Sequence, residues 1–328
     1  MDEFEHQLLA VNGIQLSLYA CGPADGKPVW LLHGFPECWH SWQHQMRALA
    51  AAGYRVFAPE MRGYGQSSAP QAVDAYDVLT LCADIQGAMD ALGHERVAMV
   101  GHDWGAPVAW HLALLEPQRV VALATLSVPF AGRAKRPPVE IMREVFAGTF
   151  FYILYFQQPG RAEAEMDADI ALSLRHFLGD NVLLAPAQSP DGRLFDGLPP
   201  PPAHPAWCSA EDFQYYVRTF EGRGFCGALN WYRNFERSWQ RTEPLAGRKV
   251  EQPTLFLIGD RDPVGRFEAY TVQRMPEHVP NLEQHVLENC GHWIQNQQPQ
   301  RVNALLLDFL GRHYAASVSY THLRAHET

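Results

Sequence analysis

Short apolar runs alternate with amphipathic stretches over two parts of the chain. Residues 28–32, 54–58, 96–100 and 120–127 form such runs in the first part, and residues 254–259 and 282–287 in the second. Runs of this length predict strands, mostly buried on both faces. Residues 80–92 and 299–313 repeat apolar positions at helical spacing. Strands and helices in alternation predict an α/β fold built on a doubly wound, mostly parallel sheet. From Pro129 to about Pro244 the strand-like runs stop, aromatic residues and helix formers take over, and a Leu-Pro-Pro-Pro-Pro stretch at 198–202 marks a surface loop. The pattern predicts a core from residues 1–130 and 246–317, with a helical cap inserted at 131–245.

Composition narrows the class. A chain of 328 residues, 47% hydrophobic and 19% charged, is long enough for one large domain with an insertion. Its net charge of −10 argues against nucleic acid or an anionic membrane as partner. The acidic start, Met1-Asp2-Glu3-Phe4-Glu5, lacks the pattern of a secretory signal, and no apolar stretch reaches the roughly 18 residues of a membrane span. The longest candidate, residues 145–156, suits a buried helix. Six cysteines without metal spacing read as reduced thiols, which favours a cytoplasmic protein. Residues 318–328 resemble the translation of a sequencing adapter; on that expectation the gene's own end lies near Ser317 or is lost beyond it, and His322 and His326 carry no meaning. Oligomeric state is left open, a homo-oligomer included.

The chemistry centres on Gly101-His102-Asp103-Trp104-Gly105, between the run Val97-Ala98-Met99-Val100 and the small-residue start Ala106-Pro107-Val108-Ala109-Trp110. Strand, tight glycine turn and helix make a nucleophile elbow, with Asp103 in the position usually held by Ser. An ionised carboxylate needs no base; it can attack a saturated carbon and form an ester that water then cleaves. The competing reading is a surface turn in which Asp103 caps the next helix. Partners in the order nucleophile, acid, histidine argue for the elbow. Asp260 and Asp262 follow the run ending at Gly259, and His292 stands in Asn289-Cys290-Gly291-His292-Trp293. Spacing favours Asp262 as the acid, with Asp260 capping or bracing the turn, but leaves both open. The early loop His33-Gly34-Phe35-Pro36-Glu37 offers an oxyanion donor at the Phe35 N–H, beside that of Trp104, because Pro36 has none to give. Pro36 also suits a cis bond, and His33 suits a role in shaping the loop. Arg62-Gly63-Tyr64-Gly65 reads as a structural turn rather than a nucleotide loop.

With these residues, the chain resembles an α/β-hydrolase-fold epoxide hydrolase of the soluble type, from about Phe4 to His313. The stretches from Tyr152 to Glu163 and from Leu229 to Asn234 carry the most specific likeness. The resemblance implies that Tyr152 and Tyr232 hold the epoxide oxygen, and it places the acid at Asp262. Without it, Tyr152 reads equally well as a core aromatic, a role that suits Tyr155 better. Cys226 and Ala228 depart from the residues usual before the second tyrosine motif. The implied reaction turns an epoxide and water into a vicinal diol with no metal or organic cofactor. Asp103 attacks, Tyr152 and Tyr232 donate to the ring oxygen, His292 oriented by Asp262 activates water, and the Phe35 and Trp104 N–H groups hold the oxyanion.

Two other classes share the elbow. A haloalkane dehalogenase would use the Trp104 indole for halide but usually wants a second donor where Phe35 stands, and a phenyl ring has none. A ligand receptor without turnover would have no use for a complete set of nucleophile, acid and base.

Overall fold

The computed structural model describes residues 3–130, 132–179 and 192–316; the tail at 318–328 lies outside them. Eight strands form one sheet: β1 (Glu5–Val11), β2 (Ile14–Cys21), β3 (Lys27–Leu32), β4 (Tyr54–Glu60), β5 (Val97–His102), β6 (Val120–Leu126), β7 (Thr254–Gly259) and β8 (Leu282–Leu287). Their spatial order is β1-β2-β4-β3-β5-β6-β7-β8. β2 runs antiparallel to both neighbours, and every pairing from β4 to β8 is parallel. The six runs expected from hydrophobicity are β3 to β8. The β1–β2 hairpin was not among them, although Asn12-Gly13 marks it: both residues have positive φ, 44° and 75°, as a tight hairpin turn requires.

Alternation along the strands builds two cores. Trp30 and Leu32 of β3 face one side, with Val97 and Met99 of β5; Val29 and Leu31 face the other, with Ala98 and Val100. Helices α1 (Gln43–Ala51) and α14 (Pro299–His313) cover the second side, and α2 (Val78–Ala91) and α3 (Gly105–Leu115) the first. The sheet is therefore doubly wound. α2 illustrates why such a segment is helical. Val78, Leu81, Cys82, Ile85, Ala88 and Met89 repeat at three- and four-residue spacing and are all buried, and Asp77 caps the first turn by accepting from the Leu79 and Thr80 amides.

Between β6 and β7 the described residues contain helices and no strand. These are α4 (Pro138–Val145), α5 (Tyr152–Phe156), α6 (Arg161–Met166), α7 (Ile170–Leu178), α8 (Ala210–Phe220), α9 (Cys226–Arg233) and α10 (Phe235–Arg241). The expected buried helix at 145–156 is broken: α4 ends at Val145, which is exposed, and Gly148 takes a left-handed φ of 78° before α5 begins. After β7 come α11 (Pro263–Phe267) and α12 (Ala269–His278), and after β8 the short α13 (Ile294–Gln297). The helical insert is tied to the sheet by polar contacts. The Trp231 indole donates to the Arg62 carbonyl at 3.0 Å, His40 meets Asp212 at 2.6 Å, and Arg241 meets Asp77 at 2.5 Å. No helix among the described residues is long and apolar enough to cross a membrane.

Candidate active site

Backbone geometry at the end of β5 explains the sequence there. Asp103 has φ of 47°, in the left-handed region that a residue with a side chain seldom enters. A Cβ on Gly101 would run into the Gly105 carbonyl, and one on Gly105 into the Leu32 carbonyl, so neither position admits a side chain. The turn thus packs β5, α3 and the end of β3 together and stands the Asp103 carboxylate clear of them. That carboxylate does not cap α3, whose N-terminus has no side-chain cap. Instead its Oδ1 accepts from the Phe35 N–H at 2.6 Å. A Cβ on Gly34 would collide with both the Asp103 carboxylate and the Trp104 amide nitrogen, so the two backbone donors lie close around one point. The Phe35–Pro36 bond is cis. His33 accepts from the Met61 N–H at 3.0 Å and lies 2.9 Å from the Gly34 carbonyl, which ties the loop to the chain after β4. Burial pushes its pKa down to about 4, so at neutral pH it is uncharged.

The second carboxylate oxygen, Oδ2, lies 3.4 Å from His292 Nε2. On the other side of the ring, Nδ1 lies 3.1 and 3.2 Å from the two Asp262 oxygens. Asp262 is buried and caps α11 through the Val264 N–H at 2.9 Å, which fixes its side chain. Burial pushes the Asp262 carboxyl up, but the His292 charge and hydrogen bond outweigh it and hold the pKa below its usual value. For His292 burial acts downward, and the charges of Asp262 and Asp103 with their hydrogen bonds carry its pKa well above 6.5. Asp260 is exposed and accepts from the Cys290 N–H at 3.0 Å, so it braces the turn before His292 and does not reach the ring.

Tyr152 opens α5 and Tyr232 lies on α9, their rings 6.1 Å apart. The two helices are laced by Gln157, donating to the Tyr232 carbonyl at 3.0 Å, and by Arg233, donating to the Phe156 carbonyl at 2.9 Å. α9 runs unbroken through Cys226 and Ala228, so those departures leave the helix intact. Burial, then the Asp103 charge, raises the pKa of both phenols. Tyr155 turns the other way and donates to Glu165 at 2.8 Å, as a structural aromatic would. Phe35, Asp103, Tyr152, Phe177, Tyr232, Val264, His292 and Trp293 line one cavity, which leaves about 10 Å³ for the centres of water molecules. That is room for about one water.

Several supporting residues carried no local signal in the sequence. His102 lies 2.7 Å from a Glu37 oxygen and 2.9 Å from the His292 carbonyl. Glu37 accepts from the Gly34 N–H at 3.0 Å and from Gln295 at 2.7 Å. Ser127, buried with φ of 71°, donates to the His292 carbonyl at 3.0 Å. This buried set joins the Phe35 loop, the elbow and the His292 turn.

A strand-borne carboxylate elbow after β5, backed by an acid after β7 and a histidine after β8, defines a class of hydrolase, and comparison with known proteins agrees. The alpha/beta hydrolase fold family model matches residues 27–299. Epoxide hydrolase A of Mycobacterium tuberculosis is 45% identical, with 93% of this chain and 96% of that protein aligned. Epoxide hydrolase 3 of Siraitia grosvenorii is 39% identical, over 95% and 100%. Among solved structures, epoxide hydrolase A from Mycobacterium thermoresistibile superposes with a TM-score of 0.89 at 44% identity, covering 94% of this chain and 98% of that one. The chain belongs to the epoxide hydrolases of the alpha/beta hydrolase fold family.

Proposed function

We propose that this protein hydrolyses epoxides to vicinal diols through a covalent ester on Asp103. The observation that carries the reading is the division of labour between the two Asp103 oxygens. Oδ1 is anchored by the Phe35 N–H, which leaves Oδ2 to attack a ring carbon. The buried tyrosines, protonated at neutral pH, donate to the epoxide oxygen as it becomes an alkoxide. Esterification removes the Asp103 charge, and with it one of the two negative groups that hold the His292 pKa up. The neutral imidazole, the form able to accept a proton, is thus favoured at the moment when a base is required. Oriented by Asp262, it takes a proton from water, which attacks the ester carbonyl. The resulting oxyanion forms on Oδ1, where the Phe35 N–H already points and the Trp104 N–H completes the pair. In this reading residues 131–245 act as a cap that carries the two acids. The buried thiols of Cys21, Cys38, Cys82 and Cys208 are in keeping with a cytoplasmic setting.

His292→Gln tests the mechanism. Alkylation needs no base, so the variant accumulates an adduct on the peptide containing Asp103, its mass raised by that of a styrene-oxide-like substrate. In wild-type enzyme, a single turnover in heavy-oxygen water labels Asp103 rather than the first diol. A labelled first diol with unlabelled Asp103 would mean direct attack by water. Halide release from a bromoalkane, measured in parallel, would favour a dehalogenase.

A further inference from the structure

A second pocket lies behind the elbow, between α3, the chain after β6 and α10. It offers about 220 Å³ on the measure that gives the active-site cavity about 10 Å³. Trp104, Trp110, Phe130, Phe235 and Trp239 wall it, with the His111 imidazole beside them. An apolar cavity of about 150 Å³ is enough to bind benzene, so this one has room for a ring and a short arm.

One cation lines this apolar space. The Arg133 guanidinium is stacked over the Trp239 ring at 4.0 Å, and its Nε donates to the Trp239 carbonyl at 2.9 Å. Its two terminal nitrogens make no hydrogen bond among the described residues, so a fixed fork of donors is left for a ligand. Flanking charges are mixed: Lys135 is exposed nearby, Arg237 and Arg241 on α10 share the carboxylate of Asp77, and Glu236 of the same helix accepts from the Val139 N–H.

We infer that the pocket behind Trp104 is a binding site, separate from the Asp103 cavity, for a small apolar carboxylate: an aromatic ring held by the tryptophans with its acid group on Arg133. The wall is shared with the catalytic side, since Trp104 packs on Tyr232 with ring centroids 5.2 Å apart. A ligand there touches the outer face of a residue whose inner edge supports the active site.

Titration with 4-phenylbutyrate, followed by quenching of tryptophan fluorescence, tests the site, with the neutral 4-phenylbutanol as control. Wild-type protein should bind the acid saturably and more tightly than the alcohol. Arg133→Gln should weaken the acid about tenfold, the ratio that 1.4 kcal/mol gives, and leave the alcohol unchanged; Arg133→Lys should restore part of the loss. Ala134→Trp, which fills the pocket from its wall, should remove binding of both. All three variants should keep hydrolysis of a small epoxide, because neither Arg133 nor Ala134 belongs to the Asp103 site. Absence of saturable binding to wild type, equal weakening of acid and alcohol by Arg133→Gln, or undiminished binding to a folded Ala134→Trp would each overturn the assignment. None of these readouts depends on epoxide turnover, so the pocket and the catalytic reading fail separately.

Discussion

In the proposed mechanism Tyr152 and Tyr232 are the acids, and burial beside a carboxylate keeps both protonated at neutral pH. Changing either to Phe leaves one donor on the alkoxide. Ester formation should then slow on the order of tenfold to a hundredfold, and the double change should approach the full 10²–10⁴ of a lost general acid. Single-turnover fluorescence measures this, with circular dichroism to show that the fold survives; wild-type alkylation rates in the double variant would remove the tyrosines from the mechanism. His292 offers a second measurement. Its pKa is held up by two carboxylates, so Asp103→Asn should bring its titration midpoint down toward 6.5, read from the imidazole resonances. An unmoved midpoint would mean that Asp262 alone sets it.

At the scale of elements, α2 is held from both sides at its first turn. The buried Asp77 carboxylate accepts from two amides of α2 and from Arg237 and Arg241 of α10. Asp77→Ala should cost about 2 kcal/mol in denaturant unfolding, at the upper end of N-cap losses because the link to the helical insert goes with it; a loss below about 0.5 kcal/mol would show that neither role matters. Elements of this kind differ in how much of them a sequence reveals. The elbow was legible because its demands are local: two glycines that tolerate no Cβ flank one residue at positive φ. The choice between Asp260 and Asp262 depends on which side chain turns inward, and spacing does not encode that. The pairing of Tyr152 with Tyr232 rests on contacts between α5 and α9, about 80 residues apart, so only resemblance placed the two together. The Glu37, His102 and Gln295 cluster is assembled from still more distant positions and leaves no pattern to read. The β1–β2 hairpin, by contrast, carried its signal in Asn12-Gly13, obscured by a first strand that is mostly exposed.

For the whole molecule, the buried Asp262–His292 pair ties stability to pH from both ends. The Asp262 pKa is depressed on folding, so its contribution is present above about 4 and is lost as pH falls through the folded value. The His292 pKa is raised, so its contribution is full below about 6.5 and is lost as pH climbs through the folded value. Thermal unfolding should therefore show a stability maximum between these limits, and His292→Gln should flatten the alkaline side; an identical alkaline slope in that variant would place the titration elsewhere. The cavity between core and insert has a further consequence. A chamber whose walls leave room for about one water cannot take an epoxide as it stands, so the side chains of Phe35, Tyr152, Phe177 and Tyr232 must part as substrate enters. The tightness of the aromatic walls thus makes entry itself a repacking event, resisted more by bulky epoxides than by small ones.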